Sequence, residues 1–540
     1  MRGKKLLSGV LAATLVLGTA LTGCGSSKAG TDTQKTDGTQ QTELHFMLMG
    51  DKPNQWDDIV SEFEKETKDT LNIKLNVNWV SAGNYKDKVN LAITAKEDYD
   101  LIFDAPWCQL RNIAPNGGYL DLAKYFNNNQ YPGLKKCFPQ VVMENNKFFG
   151  KNYAVPIMRA YGSGIQAVHY RQDLADKYGI GQIDSYAKLQ KYFNAVSANE
   201  KNMTPLAVRD NRGLYQLGLT DDDKGSAKEM NKDNIVGVSA GTDLIFEVLL
   251  NADHTKVEAI AANGDPDSAY SKFPAPFNRD WTSDVLERKH QWNKYLEKDS
   301  LNQKDDGTMF TSGKAAAMIG TLDDWESISA KLLNNLPNSK LGEFLYNSAT
   351  RNMEKAAIST DFKANNFVCV PSTSTKVDKT MKFLDWLFTN QKNHDLFELG
   401  IEGKNWVAVG NDSYKLPDGV SAANNYLFPG YVLTSNKNYV RFDSAMPELV
   451  KKYRQYELKD DAFYRSPLAG FTFDPSPVKT EEARVNAIYS DVNAPLGHGI
   501  LNQPTKVMES TIAKCRQNGL NTIQTELVKQ LNAYFAQKNK

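Results

Sequence analysis

The residues just past one predicted strand are the first candidates for chemistry. In the stretch YDLIFDAPWCQL (99–110), an apolar run ends at Asp104, and Pro106 and Trp107 follow at once. A carboxylate accepts hydrogen bonds and an indole ring offers a flat apolar face, so the pair could hold a ligand by non-covalent contacts. Pro106 fixes the backbone between them. The alternative is packing, with Trp107 acting as a lid over the strand end.

Motifs for covalent and metal chemistry are missing from the sequence. There are six histidines but no HExxH motif, no zinc-type cluster and no GxSxG motif. Residues 162–167 fit GxGxxA, yet they precede a strand instead of joining a strand to a helix. The acidic loop 220–233 does not place a glycine and a glutamate at the positions that an EF-hand loop requires. We therefore expect no cofactor, no metal and no catalytic residue, although a carboxylate pair for glycoside hydrolysis stays open among 64 acidic residues.

Alternating strands and helices must position the candidate pair. Apolar runs and helical or alternating spacing predict, in order, a strand at 43–49, a helix at 54–67, a strand at 71–80, a helix at 85–95 and a strand at 100–105. This order implies a mostly parallel sheet covered by helices. Trp79 lies on the apolar face of an alternating strand and Trp386 on an apolar helix, so we assign both to packing.

The later elements are predicted more coarsely. Residues 152–180 suggest extended chain, a glycine-rich turn, a strand and a helix. From there to about 355 the chain is predicted to be rich in helix. A strand and then a helix from near Lys376 follow within 365–388, and a final helix is expected at about 521–537.

The N-terminus predicts export and lipid attachment. Arg2, Lys4 and Lys5 precede an apolar segment of signal-peptide length, and Leu-Thr-Gly-Cys ends at Cys24. This resembles a bacterial lipobox, in which cleavage leaves the lipid-modified cysteine as the new N-terminus and anchors the protein to the membrane. The alternative is an ordinary secretory signal with an incidental cysteine. Residues 25–42 are almost without apolar side chains and predict a flexible tether.

Charge and cysteine content limit the partners. The chain has 64 basic and 64 acidic residues, and removing the three basic residues of the leader leaves a net charge near −3. That balance argues against nucleic acid and against a polybasic membrane patch. Beyond Cys24 the cysteines are 108, 137, 369 and 515, scattered and without CxxC spacing. Their spacing does not reveal whether any of them pair.

Several segments together resemble the extracellular solute-binding proteins of carbohydrate ABC transporters. The segments, in order, are IQAVHYRQDLADKYGI (165–180), MFTSGKAAAMIGTLDDWESI (309–328), VPSTSTKVDKTMKFLDWLFTNQKNHDLFELGIEGKNW (370–406) and GFTFDPSPVKTEEARVNAIY (470–489). The last resembles the C-terminal domain of a lipoprotein subgroup found in Firmicutes. The resemblance implies an α/β, two-lobed periplasmic-binding-protein-like (type II) fold with an interlobe hinge and a C-terminal extension. It also implies that a carbohydrate binds between the lobes, in the position where open α/β sheets place ligands.

The same resemblance divides the chain. The predicted parts are a signal peptide (1–23), a tether (24–42), the first part of lobe I (43–157), lobe II (158–358), the return to lobe I with the hinge (359–415) and a C-terminal domain packed on the lobes (416–540).

Ligand contacts are expected where polar and aromatic residues meet in loops. A sugar has hydroxyls that need donors and acceptors, and C–H faces that lie against aromatic rings. The first loop of maltodextrin binders is similar to Gly50-Asp51-Lys52, although a capped helix start would explain the same residues. The candidate ligand-binding residues are Asp51, Lys52, Asp104, Trp107, Arg159, Tyr161, Trp281, Asp324, Trp325 and Trp406.

The sequence therefore predicts a lipid-anchored binding protein on the outer face of the cytoplasmic membrane. It captures a carbohydrate, expected to be an oligosaccharide, and delivers it to ABC permease subunits by hinge closure without catalysis, as a monomer. Two alternatives stay open. One is a surface-anchored glycoside-active enzyme with two carboxylates in one cleft. The other is a binding protein for peptides or one linked to a sensor.

Overall fold

The computed structural model describes residues 41–162, 164–222, 226–421 and 424–538. The predicted signal peptide, Cys24 and nearly all of the predicted tether lie outside these ranges. The first strand begins at Thr42, the last residue assigned to the tether, and the Thr42 backbone N–H donates to the carbonyl of Asn72. In the part of the chain that is described, no helix is long and apolar enough to cross a membrane.

The strands fall into five small sheets. In chain order they are β1 Thr42–Met49, β2 Ile73–Val80, β3 Leu101–Asp104, β4 Val155–Ile157, β5 Gln166–Arg171, β6 Ile235–Ser239, β7 Ile245–Leu250, β8 Val257–Ala262, β9 Ala317–Thr321, β10 Leu341–Leu345, β11 Ile358–Thr360, β12 Asn366–Cys369, β13 Val407–Val409, β14 Ser413–Lys415, β15 Phe442–Asp443 and β16 Phe463–Arg465.

The α-helices cover these sheets. In chain order they are α1 Trp56–Thr67, α2 Ala82–Thr94, α3 Leu110–Ile113, α4 Pro132–Cys137, α5 Gln140–Asn145, α6 Gln172–Lys177, α7 Tyr186–Asn199, α8 Ala227–Lys232, α9 Thr282–Trp292, α10 Asp306–Thr311, α11 Trp325–Asn335, α12 Ser348–Arg351, α13 Val377–Leu387, α14 Gln391–Glu398, α15 Glu448–Glu457, α16 Lys479–Gly497, α17 Pro504–Cys515 and α18 Asn521–Lys538.

The first lobe is built on the sheet β2-β1-β3-β12-β4. Strands β1, β2 and β3 are parallel, as the strand–helix alternation predicted, and β12 returns antiparallel between β3 and β4. Helix α1 buries Trp56, Ile59, Val60 and Phe63, whose spacing places them on the face turned to the sheet. Trp79 and Trp386 pack against this core, as predicted, while staying partly exposed.

The second lobe is built on the antiparallel sheet β10-β5-β9. Its central strand β5 is buried on both faces, with helices α7 and α9 on one side and helix α11 on the other. The predicted strand and helix at 165–180 correspond to β5 and α6.

A third sheet corrects the prediction for residues 180–355. Strands β6, β7 and β8 form an antiparallel meander where the sequence analysis expected mainly helix. The apolar runs in 235–262 are too short for helical periodicity, and each buries one face against helices α16, α17 and α18. The C-terminal helices therefore complete a core that begins more than 200 residues earlier in the chain.

The last 125 residues contribute to all three cores. Tyr426, Phe428 and Val432 belong to the core of the first lobe, and Phe442 and Tyr453 to a core of the second. Helices α16–α18 cover the meander, as noted above. The four cysteines within the described ranges, at 108, 137, 369 and 515, are buried and free. The domain boundaries proposed from the sequence stay a prediction.

Candidate functional site

A cleft of about 760 Å³ lies between the two lobes. Its walls come from the loop after β1, the crossover from β4 to β5, the turn after β9, helix α14 and the segment 427–441. The carboxyl ends of β1, β4 and β9 all open onto it. This is where an open α/β sheet places a ligand, because side chains beyond strand ends can converge there without disturbing the sheet.

Charges of both signs line the cleft. They are Asp51, Asp323, Asp324, Glu326, Asp395 and Glu398 on the acidic side, and Arg159, Arg212, Lys331 and Arg441 on the basic side. Several of these side chains already form ion pairs with one another. A cleft that offers both acceptors and donors without a dominant charge suits a neutral ligand rich in hydroxyl groups.

Arg159 occupies the floor of this cleft, in the crossover after β4. Its Nη2 lies 2.8 Å from Oε1 of Glu398 in α14, and its Nη1 lies 3.9 Å from Oδ1 of Asp323 in the second lobe. Asp323 is held in turn by the buried Arg454, whose Nη1 lies 2.7 Å from the same carboxylate oxygen. Burial, and then the charge of Asp323, raise the pKa of the neighbouring Glu457 carboxyl.

Asp324 and Trp325 are adjacent in sequence, but the first lies at the cleft and the second in the core. Asp324 lines the cleft, and its Oδ2 accepts hydrogen bonds from the backbone N–H and hydroxyl of Thr321 at 2.8 and 2.9 Å. Trp325 is 3% exposed and packs in the core of the second lobe. It begins α11 and shares a face with Ile328 and Leu332, so the expected stacking role for Trp325 is wrong in this structure.

Asp104 and Trp107, both expected from the sequence to contact a ligand, also lie in different surroundings. Asp104 is fully buried and its carboxylate accepts from the backbone N–H groups of Ala105 and Gln109 and from the hydroxyl of Tyr119. Burial raises the pKa of Asp104, and the three hydrogen bonds oppose that rise. Its carboxylate closes the turn after β3, which corrects the prediction of a ligand acceptor.

Trp107 is 53% exposed and lies next to residues of the cleft lining, although it is not part of that lining itself. Its indole Nε1–H donates to the carbonyl of Asn365 at 3.0 Å and to Oδ1 of Asn366 at 3.2 Å, and both asparagines line the cleft. These bonds fix the ring beside the opening without burying it. An exposed ring held in one orientation can serve as a stacking surface, so the structure keeps Trp107 available for that role.

The two predicted contacts in the first loop, Asp51 and Lys52, also lie in different places. Asp51 is exposed and lines the cleft, whereas Lys52 turns away from it. Nζ of Lys52 lies 2.7 Å from the carboxylate of Asp57 in the first turn of α1. Lys52 therefore belongs to the helix start, which was the alternative considered from the sequence.

Three further aromatic candidates lie outside the cleft wall. Tyr161 packs between Phe362 and Lys437, whose Nζ is 3.7 Å from the ring centroid. Trp281 packs with Phe277 beside the meander. Trp406 is buried and its indole N–H donates to the carbonyl of Gly400 at 2.9 Å, with Arg441 between it and the cleft. The structure therefore does not bring Tyr161, Trp281 and Trp406 into the cleft lining, and their assignment as ligand contacts stays a prediction from the sequence.

Segment 424–441 was not expected from the sequence to line the site. Tyr426 and Phe428 anchor it in the first core, and the Tyr426 hydroxyl donates to the carbonyl of Phe397 at 2.6 Å. Leu427, between these anchors, and Tyr431, three residues after Phe428, are exposed and line the cleft, with Tyr431 43% exposed. The available signal was the run NYLFPGY, in which aromatic residues flank a Pro-Gly turn.

Tyr431 and Trp107 are two exposed aromatic rings that contact the same buried residue, Phe103. The ring of Phe103 lies 6.1 Å from that of Trp107 and 6.3 Å from that of Tyr431. We refer to the two exposed rings, Tyr431 in the lining and Trp107 beside it, as the aromatic rim. The site combines paired charges on its floor with flat apolar surfaces at its rim. Within the described ranges, no group of three or more metal-ligating side chains occurs.

The chain is similar to known proteins over its whole described length. The family model for bacterial extracellular solute-binding proteins matches residues 49–394, and a domain of unknown function (DUF3502) matches residues 467–536. A carbohydrate ABC transporter substrate-binding protein of Streptococcus pneumoniae serotype 4 (strain ATCC BAA-334 / TIGR4) is 21% identical over 561 residues, and the match covers 100% of both chains.

Solved structures share the architecture. The crystal structure of the N-glycan transport solute binding protein (NgtS) from Streptococcus pneumoniae has a TM-score of 0.68 at 19% identity, covering 92% of this chain and 100% of that one. The complex of NgtS with Man5GlcNAc has a TM-score of 0.62 at 20% identity, covering 92% and 99%. The predicted two-lobed, periplasmic-binding-protein-like fold is confirmed.

Proposed function

The chain belongs to the bacterial extracellular solute-binding proteins, and we propose that it binds a neutral oligosaccharide in its cleft and delivers it to an ABC importer. The sequence resemblance had predicted this family. The carbohydrate assignment draws on the relative described as a carbohydrate ABC transporter substrate-binding protein and on the NgtS complex with Man5GlcNAc.

The cleft itself supplies the observation that carries the proposal. It joins a floor of paired charges to the exposed ring of Tyr431, and the exposed ring of Trp107 lies nearby, since both rings contact Phe103. Hydroxyl groups can exchange hydrogen bonds with the floor while C–H faces lie on the rings. A volume of about 760 Å³ falls within the range of roughly 300–1,000 Å³ that is typical of small-molecule sites.

Four of the residues expected from the sequence keep a proposed role. Asp51, Arg159 and Asp324 line the cleft and offer acceptors and donors to hydroxyl groups. Trp107 offers a stacking face at the rim, and Tyr431 joins it as a residue the sequence analysis did not include. The role of Arg159 is partly structural, because its guanidinium already contacts Glu398 and Asp323.

Binding is proposed to be reversible and without reaction. Closure of the two lobes about the crossover segments would exclude water from the bound sugar and present the closed form to the permease subunits. Arg159 lies in one of these segments and contacts carboxylates from both lobes. The protein is proposed to act as a monomer, held at the outer face of the cytoplasmic membrane by lipid on Cys24.

A thermal-shift screen tests this function. Saturating ligand raises the free energy of unfolding by RT ln(1 + [L]/Kd), about 2.7 kcal/mol at a hundredfold excess over Kd. We expect a rise in melting temperature with oligosaccharides and none with a peptide panel. The incubated oligosaccharides are then analysed for cleavage. A peptide-only response, or turnover of a glycan, would contradict the proposal.

A further inference from the structure

We propose that His498 is a positioning residue, which holds the cleft residue Arg212 in place for ligand binding. His498 lies in the domain of unknown function at 467–536, in a turn directly after helix α16. Arg212 lines the main cleft and lies in the loop 208–219 of the second lobe. The inference rests on the proposed function for its effect on affinity, and it gives the C-terminal domain a part in that function.

The loop 208–219 depends on outside contacts for its position. It is described throughout and forms turns without a helix or a strand. Leu214 and Leu217 anchor one part of it in the core of the second lobe. Nη1 of Arg212 donates to the carbonyl of Ile319 in β9 at 3.1 Å, which places the guanidinium beside a strand that ends at the cleft. Because such a loop has no ladder of backbone hydrogen bonds, its partners decide where Arg212 lies.

The imidazole of His498 bonds to this loop and to a second segment. His498 is fully buried, with Nε2 3.0 Å from the carbonyl oxygen of Asp210 and Nδ1 3.0 Å from the hydroxyl oxygen of Ser300. A carbonyl oxygen only accepts, so Nε2 carries the proton and Nδ1 of the neutral ring accepts from Ser300. Burial lowers the pKa of His498, in keeping with a neutral ring. Asp210 lies two residues before Arg212, so the ring fixes the loop close to the cleft residue.

The turn that carries His498 is itself held by the second lobe. The carbonyl of His498 accepts from the side-chain amide of Asn293 at 2.9 Å, and the carbonyl of Gly499 accepts from Nδ1 of His290 in α9 at 2.9 Å. Gly499 adopts φ of +68°, and a Cβ there would collide with the carbonyl oxygen of Lys289. Only glycine therefore fits, and the end of α16 is fixed against α9.

The backbone of the loop approaches the backbone of the turn closely. The N–H of Leu214 donates to the carbonyl of Gly497 at 2.9 Å. Gly213 adopts φ of +56°, and a Cβ there would lie 2.6 Å from the same carbonyl oxygen. The contacts at Asp210 and Leu214 lie on either side of Arg212, so the C-terminal turn holds the whole segment that carries it.

Two variants of one residue test the positioning role in the full-length mature protein. His498→Gln retains an amide N–H at the reach of Nε2, whereas His498→Asn reaches only as far as Nδ1 and loses the bond to Asp210. Hydrogen exchange of the backbone amides of residues 209–217 is measured in the unliganded protein. We expect exchange about tenfold faster in His498→Asn, the scale of one lost hydrogen bond, and near the wild-type rate in His498→Gln.

Calorimetric titration measures the consequence for binding. The probe is the oligosaccharide that raises the melting temperature most in the thermal-shift screen. We expect His498→Asn to weaken binding about fivefold and His498→Gln by less than about twofold. In an Arg212→Met background, the His498→Asn change should cause no further loss, because it acts through Arg212. A histidine that only stabilised the fold would lower the melting temperature without changing the affinity of the folded protein.

Gly213→Ala tests the same contact from the loop side. Its Cβ would collide with the carbonyl of Gly497, so we expect faster exchange and weaker binding, as in His498→Asn. Gly181→Ala is the matched control, because Gly181 has a similar φ of +64° but no described atom lies within 4 Å of an added Cβ. It should carry the same backbone strain without either change.

Three results would overturn the positioning role. They are wild-type affinity in both His498→Asn and Gly213→Ala, equal losses of affinity in His498→Asn and His498→Gln, and a loss that adds in full to that of Arg212→Met. If the wild-type protein bound none of the oligosaccharides, the proposed function would fall. The exchange measurement would still decide whether the C-terminal turn holds the Arg212 loop, since wild-type exchange in His498→Asn would contradict it.

Discussion

Arg159 forms an ion pair with Glu398, with 2.8 Å between Nη2 and Oε1, on the floor of the cleft. Its second terminal nitrogen faces Asp323 of the other lobe at 3.9 Å. A single side chain in the crossover therefore contacts carboxylates that belong to both lobes. Because these charges are largely withdrawn from water, each depends on the others for compensation.

Replacing Arg159 by Met is expected to destabilise the protein strongly. Methionine keeps most of the length of the side chain but leaves Glu398 and Asp323 without one of their cations. Breaking a buried ion pair by removing one partner typically costs about 3–5 kcal/mol, and we expect a loss near that size in urea unfolding of the unliganded protein.

Two variants serve as controls for Arg159→Met. The double variant Arg159→Met with Glu398→Gln removes both charges and should recover part of the loss. Lys404→Met breaks an ion pair with Asp58 that is exposed, and should cost less than about 1 kcal/mol. If Arg159→Met were as mild as Lys404→Met, the charges on the cleft floor would not depend on one another as stated.

Trp107 and Trp325 are expected to respond in opposite ways to truncation. Trp107→Ala should weaken oligosaccharide binding about tenfold while changing the free energy of unfolding little, because more than half of the ring is exposed. Trp325→Ala should cost about 3–5 kcal/mol of stability, as for a truncated core aromatic. Titration and urea unfolding of both variants separate these outcomes. A large stability loss in Trp107→Ala would assign that residue to packing.

A buried glutamate predicts how stability changes with pH. Burial, and then the charge of Asp280, raise the pKa of Glu247 in β7 to about 8. Between pH 4.5 and 8 the unfolded chain is ionised at this residue whereas the folded chain keeps its proton, so the folded state loses stability as pH rises through that window. Glu247→Gln removes this dependence.

The difference between Glu247→Gln and wild type is therefore expected to grow with pH. We expect the variant to be more stable than wild type by about 4 kcal/mol at pH 7.5 and nearly equal to it at pH 4.5, because each pH unit between the two pKa values corresponds to about 1.4 kcal/mol. Urea unfolding of the variant and the wild type at both pH values measures this difference in stability. Glu258→Gln, exposed on the adjacent strand β8, is the control and should show no such trend. A constant difference across pH would contradict the assignment.

The first lobe could be predicted from the sequence because its signals are local. Strands β1 to β3 and helices α1 and α2 have clear apolar spacing, and their order alone implies parallel pairing. The meander at 235–262 could not be predicted in the same way. Its strands are short, and the surface they bury against comes from helices more than 200 residues later.

The candidate site was harder to predict from the sequence, because the exposure of a side chain depends on residues that are distant in the chain. Asp104 ends β3 and Trp107 follows three residues later, yet the Asp104 carboxylate is buried and bonded to Tyr119, whereas Asn365 and Asn366 hold the Trp107 indole at the surface. Trp325 and Trp406 resembled ligand contacts by position, and only their packing partners reveal them as core residues. Tyr431 was missed because no strand end marked its loop.

The lipid anchor is tested through Cys24. When the protein is expressed with its own leader in a bacterium that processes lipoproteins, the wild type is expected in the membrane fraction. Cys24→Ala removes the acylation site, so the variant should move to the soluble or secreted fraction. An unchanged distribution would point to an ordinary secretory signal with an incidental cysteine.

The central claim is that the cleft holds an oligosaccharide against its aromatic rim. Calorimetric titration into wild type and Tyr431→Ala of the oligosaccharide that raises the melting temperature most in the thermal-shift screen tests it most directly. We expect saturable one-to-one binding by the wild type and an affinity about tenfold lower in the variant, with the unfolding free energy almost unchanged because Tyr431 is 43% exposed. No measurable binding by the wild type, or equal affinity in the two proteins, would contradict the claim.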